Sequence, residues 1–142
     1  MRVALLVVFL FISGYSFAEV QDKTFQCLEG LKNDGRFSSI ANHLALDGQG
    51  AASPQMLTDN TRSSERQKAA IADWIDARSE CTSLSPTQVS VNLHMAFLGI
   101  VPDLYNGQTT FGEFNKKWQA LFKENTETPG KALDKPVTHH HH

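Results

Sequence analysis

Three times beyond residue 20 a serine or threonine stands three residues ahead of a glutamine or glutamate: Ser64 with Gln67, Ser85 with Gln88, and Thr110 with Glu113. Each time a run of helix-spaced apolar residues follows. In such a pair each side chain satisfies a backbone N–H of the other residue, which opens a helix and fixes its first turn. No strand ladder of alternating apolar and polar residues lies between these starts. The expectation is an all-α fold.

The helices follow from the spacing. Behind Ser64, the residues Ile71, Trp74, Ile75, Arg78 and Cys81 fall along one side, and Asp73, Asp76 and Glu80 along the other. That helix docks through Ile71, Trp74 and Ile75. Behind Ser85, with Pro86 at the first helical position, come Val89, Leu93, Ala96, Phe97 and Ile100. Gly99 and Pro102 predict a kink or short break near its end. The last helix starts at Thr110 and turns Phe111, Phe114, Trp118, Leu121 and Phe122 inward.

Upstream, a helix from Asp22 to Lys32 carries Phe25, Leu28 and Leu31 on one stripe. Gly35 stops it, because glycine tolerates the left-handed conformation that ends helices. Phe37, Ile40 and Leu44 keep helical spacing over a short run, and Ser53 with Pro54 opens a brief helix near Met56 and Leu57. The sum is a small helical bundle of about four main helices plus short turns.

The two ends differ from this middle. Arg2, the apolar run from Val3 to Ile12, and small residues at Ser16 and Ala18 read as a cleaved secretory signal over residues 1–18. The apolar run is about ten residues long, where a membrane-spanning helix needs about twenty. No cysteine follows Ala18, so the lipid-attachment signal is missing. Residues 126–142 have few large apolar side chains and carry Pro129, Gly130 and Pro136. Such a tail cannot bury enough surface to offset its ordering entropy. Its last four residues, His139 to His142, read as an affinity tag or its remnant. The helical domain is therefore expected over 19–125, in the periplasm or outside the cell, with no transmembrane segment once the signal is removed. In that oxidising compartment the two cysteines, Cys27 and Cys81, are expected to pair. The bond closes a loop of about 54 residues, for which chain entropy gives on the order of 4 kcal/mol.

Function is less legible. A formal net charge of −2 with no lysine- or arginine-rich block argues against nucleic acid. The stretch "PDLYNGQTTFGEF" matches the back half of a calcium loop: Gly107 stands at the sharp turn, with Asn106, Thr110 and Glu113 at ligand positions. Pro102 and Leu104 occupy the first two ligand positions and have no side-chain oxygen. The stretch reads as a turn, with a degenerate calcium-binding turn as a minor alternative. His43 and His94 lie far apart in sequence and lack metalloprotease spacing, so no metal or cofactor is expected. Asp73, Asp76 and Glu80 could serve a carboxylate-based hydrolase, but a solvated helix face has the same spacing. Trp74 and Arg78, four apart, are placed to stack as a cation–π pair. Trp118, with Phe111, Phe114 and Phe122, either fills the core or lines a pocket for a small apolar ligand. No catalytic residue is singled out.

Four segments together resemble a known group. They are Cys27; the "DGRF" turn from Asp34 to Phe37; "KAAIADWIDARSEC" from Lys68 to Cys81; and "YNGQTTFGEFN" from Tyr105 to Asn115. The layout is similar to that of a family of small exported helical proteins of proteobacteria with no assigned activity. The likeness spans about Cys27 to Leu121. It implies an envelope location and the Cys27–Cys81 pairing, and it carries over no catalytic residue. Gly35 departs from the proline expected there in relatives. The reading that results is an exported, non-enzymatic helical module that binds an envelope protein or other envelope component. Its candidate contact residues are Tyr105, Asn106, Gly107 and Trp118, with the outer face of helix 65–81 as a second surface. The alternative is a carrier of a small apolar ligand between the aromatic helices.

Overall fold

The computed structural model describes residues 23–127. The expected signal peptide and all but the first two residues of the expected tail lie outside the described residues. Helix α1 covers 23–30, α2 Pro54–Leu57, α3 Glu65–Leu84, α4 Gln88–Tyr105 and α5 Phe111–Glu127. Two 3-10 turns, Leu31–Asn33 and Gly35–Phe37, link α1 to an irregular stretch before α2. No strand occurs among the described residues. The protein is an all-α bundle: α4 packs against both α3 and α5, α2 lies on α5, and the second 3-10 turn lies on α3.

Two of the three expected capping boxes form as read. Ser64 Oγ accepts from the Gln67 N–H at 3.2 Å while Gln67 Oε1 accepts from the Ser64 N–H at 2.9 Å. Thr110 and Glu113 exchange the same bonds at 3.1 and 2.8 Å. Ser53 caps α2 with Pro54 at its first position. The third box shifts by two residues. Thr87, not Ser85, opens α4, and its partner is Ser90: Thr87 Oγ1 accepts from the Ser90 N–H at 3.1 Å and Ser90 Oγ from the Thr87 N–H at 2.9 Å. The reason is the shortness of the link. Ser85 already closes α3, and its carbonyl accepts the Thr24 hydroxyl at 3.0 Å, so Pro86 is left outside the helix.

Two other expectations need correction. Of the kink or short break expected near Pro102, the break is absent, and α4 runs on to Tyr105. The helix continues because Val101 and Leu104 are buried on its inner side, while Pro102 faces out. Nor does Gly35 take a left-handed conformation; among the described glycines only Gly48, Gly50 and Gly107 have positive φ. α1 instead tightens into 3-10 geometry, and Asp34 caps the next turn by accepting from the Arg36 N–H at 3.0 Å. Phe37, Ile40 and Leu44 are buried as their spacing suggests, but on turns rather than on a helix.

The core is aromatic at its centre. Trp74 meets Phe97 edge-on at 5.0 Å between centroids, and Phe97 meets Phe114 and Trp118 the same way at 6.3 and 6.0 Å. Such edge-to-face contacts add to the apolar area removed from water. The Cys27–Cys81 bond joins α1 to α3, with 5.4 Å between Cα atoms. Asn115, buried in α5, donates from Nδ2 to the carbonyls of both His43 and Met56, at 2.8 and 2.9 Å. One side-chain amide thus fastens two irregular segments to the last helix.

Gly112 makes a closer contact still. Its N–H donates to the Asp59 carbonyl at 2.7 Å, and a Cβ at this position would lie 2.6 Å from that same oxygen and 2.7 Å from the Leu57 carbonyl. Only glycine lets the first turn of α5 approach the loop this closely.

Candidate functional site

The end of α4 is held from beneath. Gly107, at φ 74°, donates to the Leu104 carbonyl at 3.1 Å, and Gln108 donates to the Asp103 carbonyl at 2.8 Å. This is the paired bonding of a Schellman cap, which satisfies the last carbonyls of a helix. The preceding loop adds to it. Ser63 Oγ donates to the Leu104 carbonyl at 3.0 Å and Arg62 Nη1 donates to the Gly107 carbonyl at 2.9 Å. The same loop receives the start of α5, where Phe111 N–H donates to the Thr61 carbonyl at 2.9 Å. The Thr110 N–H holds the Glu113 carboxyl below its ordinary acidity range. One of the two Glu113 oxygens that a calcium loop would use, Oε1, is therefore engaged in capping. Among the described residues no group of three or more His, Cys, Asp or Glu is placed to hold a metal ion.

Tyr105 and Asn106 are exposed at this end and Gly107 is half-buried, so the structure brings these three together on one surface. Trp118 is not with them. It is 5% exposed, behind Phe97 in the core. The outer face of α3 presents Asp73, Asp76 and Glu80 to solvent.

A larger feature starts from Tyr105 and runs back along α4. Val91, Met95, Leu98, Pro102 and Tyr105 recur four and three residues apart, which is one face of a helix. All five are exposed, Met95 by 63%. The face has little charge. Asp103 is the only acidic residue of α4, which has no lysine or arginine, and burial together with nearby Arg78 pushes the His94 imidazole down, towards its neutral form. Gly99 lies on the same side with open space where a Cβ would stand. A helix that is apolar all round is expected to be covered all round. Here α3 and α5 cover one side, and the other faces water.

Three further groups are drawn together by the fold. His43 Nδ1 and Asp59 Oδ2 lie 2.5 Å apart, with the His43 ring stacked on Phe111 at 4.5 Å. Asp59 also accepts from the N–H and hydroxyl of Thr61. Burial works to raise its pKa, but these bonds and His43 outweigh it and hold the carboxyl low. Ser79 Oγ and His94 Nε2 are 2.8 Å apart, bridging α3 and α4. His94 Nδ1 is buried with no partner, so the pair lacks the carboxylate that orients an imidazole in nucleophilic catalysis. Arg78 is 3% exposed, its guanidinium 4.3 Å from the centroid of Phe97, 5.1 Å from Trp118 and 5.7 Å from Trp74. The expected Trp74–Arg78 stacking is present as one side of this larger aromatic surround.

Neither histidine contact was visible in the spacing of the chain, since both join segments that only folding brings together. The α4 ridge did leave a signal in its near-continuous apolar run from Val89 to Val101, broken by few polar residues. Comparison with protein-family models, with curated proteins and with solved structures finds no match to this chain.

Proposed function

We propose that this protein is an exported, non-enzymatic binding module of the cell envelope, which engages its partner through the exposed ridge of α4 and the adjoining Tyr105–Gly107 turn. The observation that carries the reading is the ridge itself. Five apolar residues in register on one exposed helix face, rimmed by polar residues such as Asn92 and Asn106, form the kind of surface that marks a protein interaction site. The ridge sits on a helix fixed by α3, α5 and a double-ended cap, so the partner meets a preformed surface and little ordering entropy is lost.

Export is supported by the Cys27–Cys81 bond, which belongs to oxidising compartments. It is also supported by the likeness to small exported helical proteins. Among the described residues no helix is long and apolar enough to cross a membrane. Of the aromatic side chains that a ligand carrier would use to line a pocket, Phe111, Phe114 and Trp118 are buried in the core and Phe122 is partly buried against it, which favours the binding-module reading over the carrier.

Photo-crosslinking in cells tests the reading. A benzoylphenylalanine at Met95 is expected to give a discrete adduct, and one at Asp76 on the outer face of α3 none. An adduct from Asp76 alone would move the contact surface to α3, and no adduct from Met95 would end the α4 reading.

A further inference from the structure

We infer that the α4 ridge pairs with the same ridge of a second copy of this chain, antiparallel, about a two-fold axis passing near Leu98. This rests on the reading of α4 as the binding face and names its occupant.

The first ground is charge. A two-fold interface sets one surface against itself, so a patch with a net charge faces the same net charge and residues near the axis meet their own copies. Most exposed helices are unsuited to this. α4 is suited, because its exposed residues include the apolar ridge, Gln88, Asn92 and Gly99, with Asp103 as the single carboxylate. A helix built to lie on a lipid surface carries lysine or arginine along its polar face. α4 has neither.

The second ground is the symmetry of the pattern. Val91 and Tyr105 stand one heptad to either side of Leu98, so in an antiparallel pair centred there Leu98 meets Leu98 and each Val91 meets a Tyr105. Asp103 fixes the direction. Parallel helices would put the two Asp103 carboxylates side by side. Antiparallel ones separate them by roughly 15 Å along the axis at 1.5 Å per residue, beyond the screening length of about 8 Å in physiological salt.

The third ground is space. Gly99, next to the proposed axis, leaves the backbone of α4 open with nothing within 4 Å of a Cβ position. Two helices can therefore approach closely at their crossing point, with Met95 and Leu98 packing around it.

The face is one helix wide and about 21 Å long from Val91 to Tyr105. That is small for a stable interface, so the pair is weak, with a dissociation constant on the order of 10–100 µM.

The test is sedimentation equilibrium of the oxidised chain from about 1 µM to about 0.5 mM, spanning that range. The parent is expected to pass from monomer to dimer. Leu98→Glu and Leu98→Arg, each folded by its thermal melt, are expected to weaken dimerisation at least tenfold alone and to recover it when mixed in equal amounts. The double variant Val91→Glu with Tyr105→Arg is expected to dimerise better than either single variant, because antiparallel pairing sets the two new charges opposite each other. A parent that stays monomeric at the top concentration overturns the second-copy inference, and the Met95 crosslink then decides separately whether α4 binds another protein. Dimers that persist in both Leu98 variants, or variants that fail to recover on mixing, also overturn it. A double variant weaker than both singles overturns the antiparallel direction.

Discussion

The guanidinium of Arg78 lies 4.3 Å from the centroid of the Phe97 ring, in the interior of a helical bundle and with no carboxylate within ion-pairing distance among the described residues. Its Nε is buried without a hydrogen-bond partner. Burial pushes its pKa down to about 10, with Asp47 working the other way. Desolvation of a cation costs several kcal/mol, and a desolvated cation–π contact returns about 2 kcal/mol.

Arg78→Met, which keeps the volume and removes the charge, is therefore expected to leave the melting temperature equal or higher. Arg78→Ala is expected to cost about 3 kcal/mol through the cavity it leaves. The folded pKa lies below the unfolded one, so the charge costs stability at neutral pH and that cost lifts as pH rises past about 10. The gap between parent and methionine variant should narrow there. Equal losses for methionine and alanine would mean that the charge itself holds α3 in place.

Two glycines should respond oppositely to alanine. Gly112→Ala drives a methyl group into the Asp59 and Leu57 carbonyls. Overpacking of this kind is expected to cost about 1–3 kcal/mol, more than alanine returns as a helix former. Gly99→Ala meets nothing and should gain about 0.5–1 kcal/mol. Urea melts at low protein concentration, where the chain is monomeric, separate these effects from any association through α4.

Asp59 anchors the loop that receives both α4 and α5. Its folded pKa lies below the ordinary value of 3.8, so its contribution is present above that value and is lost as acid takes the pH through the folded one. Asp59→Asn is expected to cost about 1–3 kcal/mol at neutral pH, because Thr61 and His43 lose a charged acceptor. The difference from the parent should shrink below pH 4. A constant difference at all pH values would show that the loss comes from geometry and not from charge.

Replacing Cys27 and Cys81 together with serine is expected to cost on the order of 4 kcal/mol by release of the loop between them. Hydrogen exchange should quicken first in α1, which the bond and the Thr24–Ser85 hydrogen bond tie to the end of α3. Protection lost evenly across all helices would place α1 within the cooperative core.

Helices were legible where a start signal and a stripe agreed. Ser64, Ser53 and Thr110 each name a helix start, and the burial of Ile71, Trp74, Phe97 and Phe114 follows from 3.6-residue spacing. The misreadings have local causes. In "SPTQ" both Ser85 and Thr87 can cap, and what decides is that α3 ends at Leu84, a tertiary fact. Proline was weighed by propensity at position 102, where the packing of Val101 and Leu104 overrides it. The candidate surface was half legible. Tyr105 and Asn106 read as a turn and stand exposed, but which side of an apolar α4 faces water depends on where α3 and α5 lie. His43 and Asp59 belong to separate turns, and no periodicity predicts their meeting.

The Cys27–Cys81 bond has a consequence for the making of the molecule. On the proposed export, a chain delivered N-terminus first presents Cys27 long before its partner, since the two are 54 residues apart. For that interval the early thiol is free to react with any passing disulfide. It is spared only once α3 has emerged and coiled far enough to bring Cys81 alongside. The last turn of α3 thus acts as a clock. Oxidation that runs ahead of it traps the chain in mixed bonds, and oxidation that waits for it seals a helix already in place.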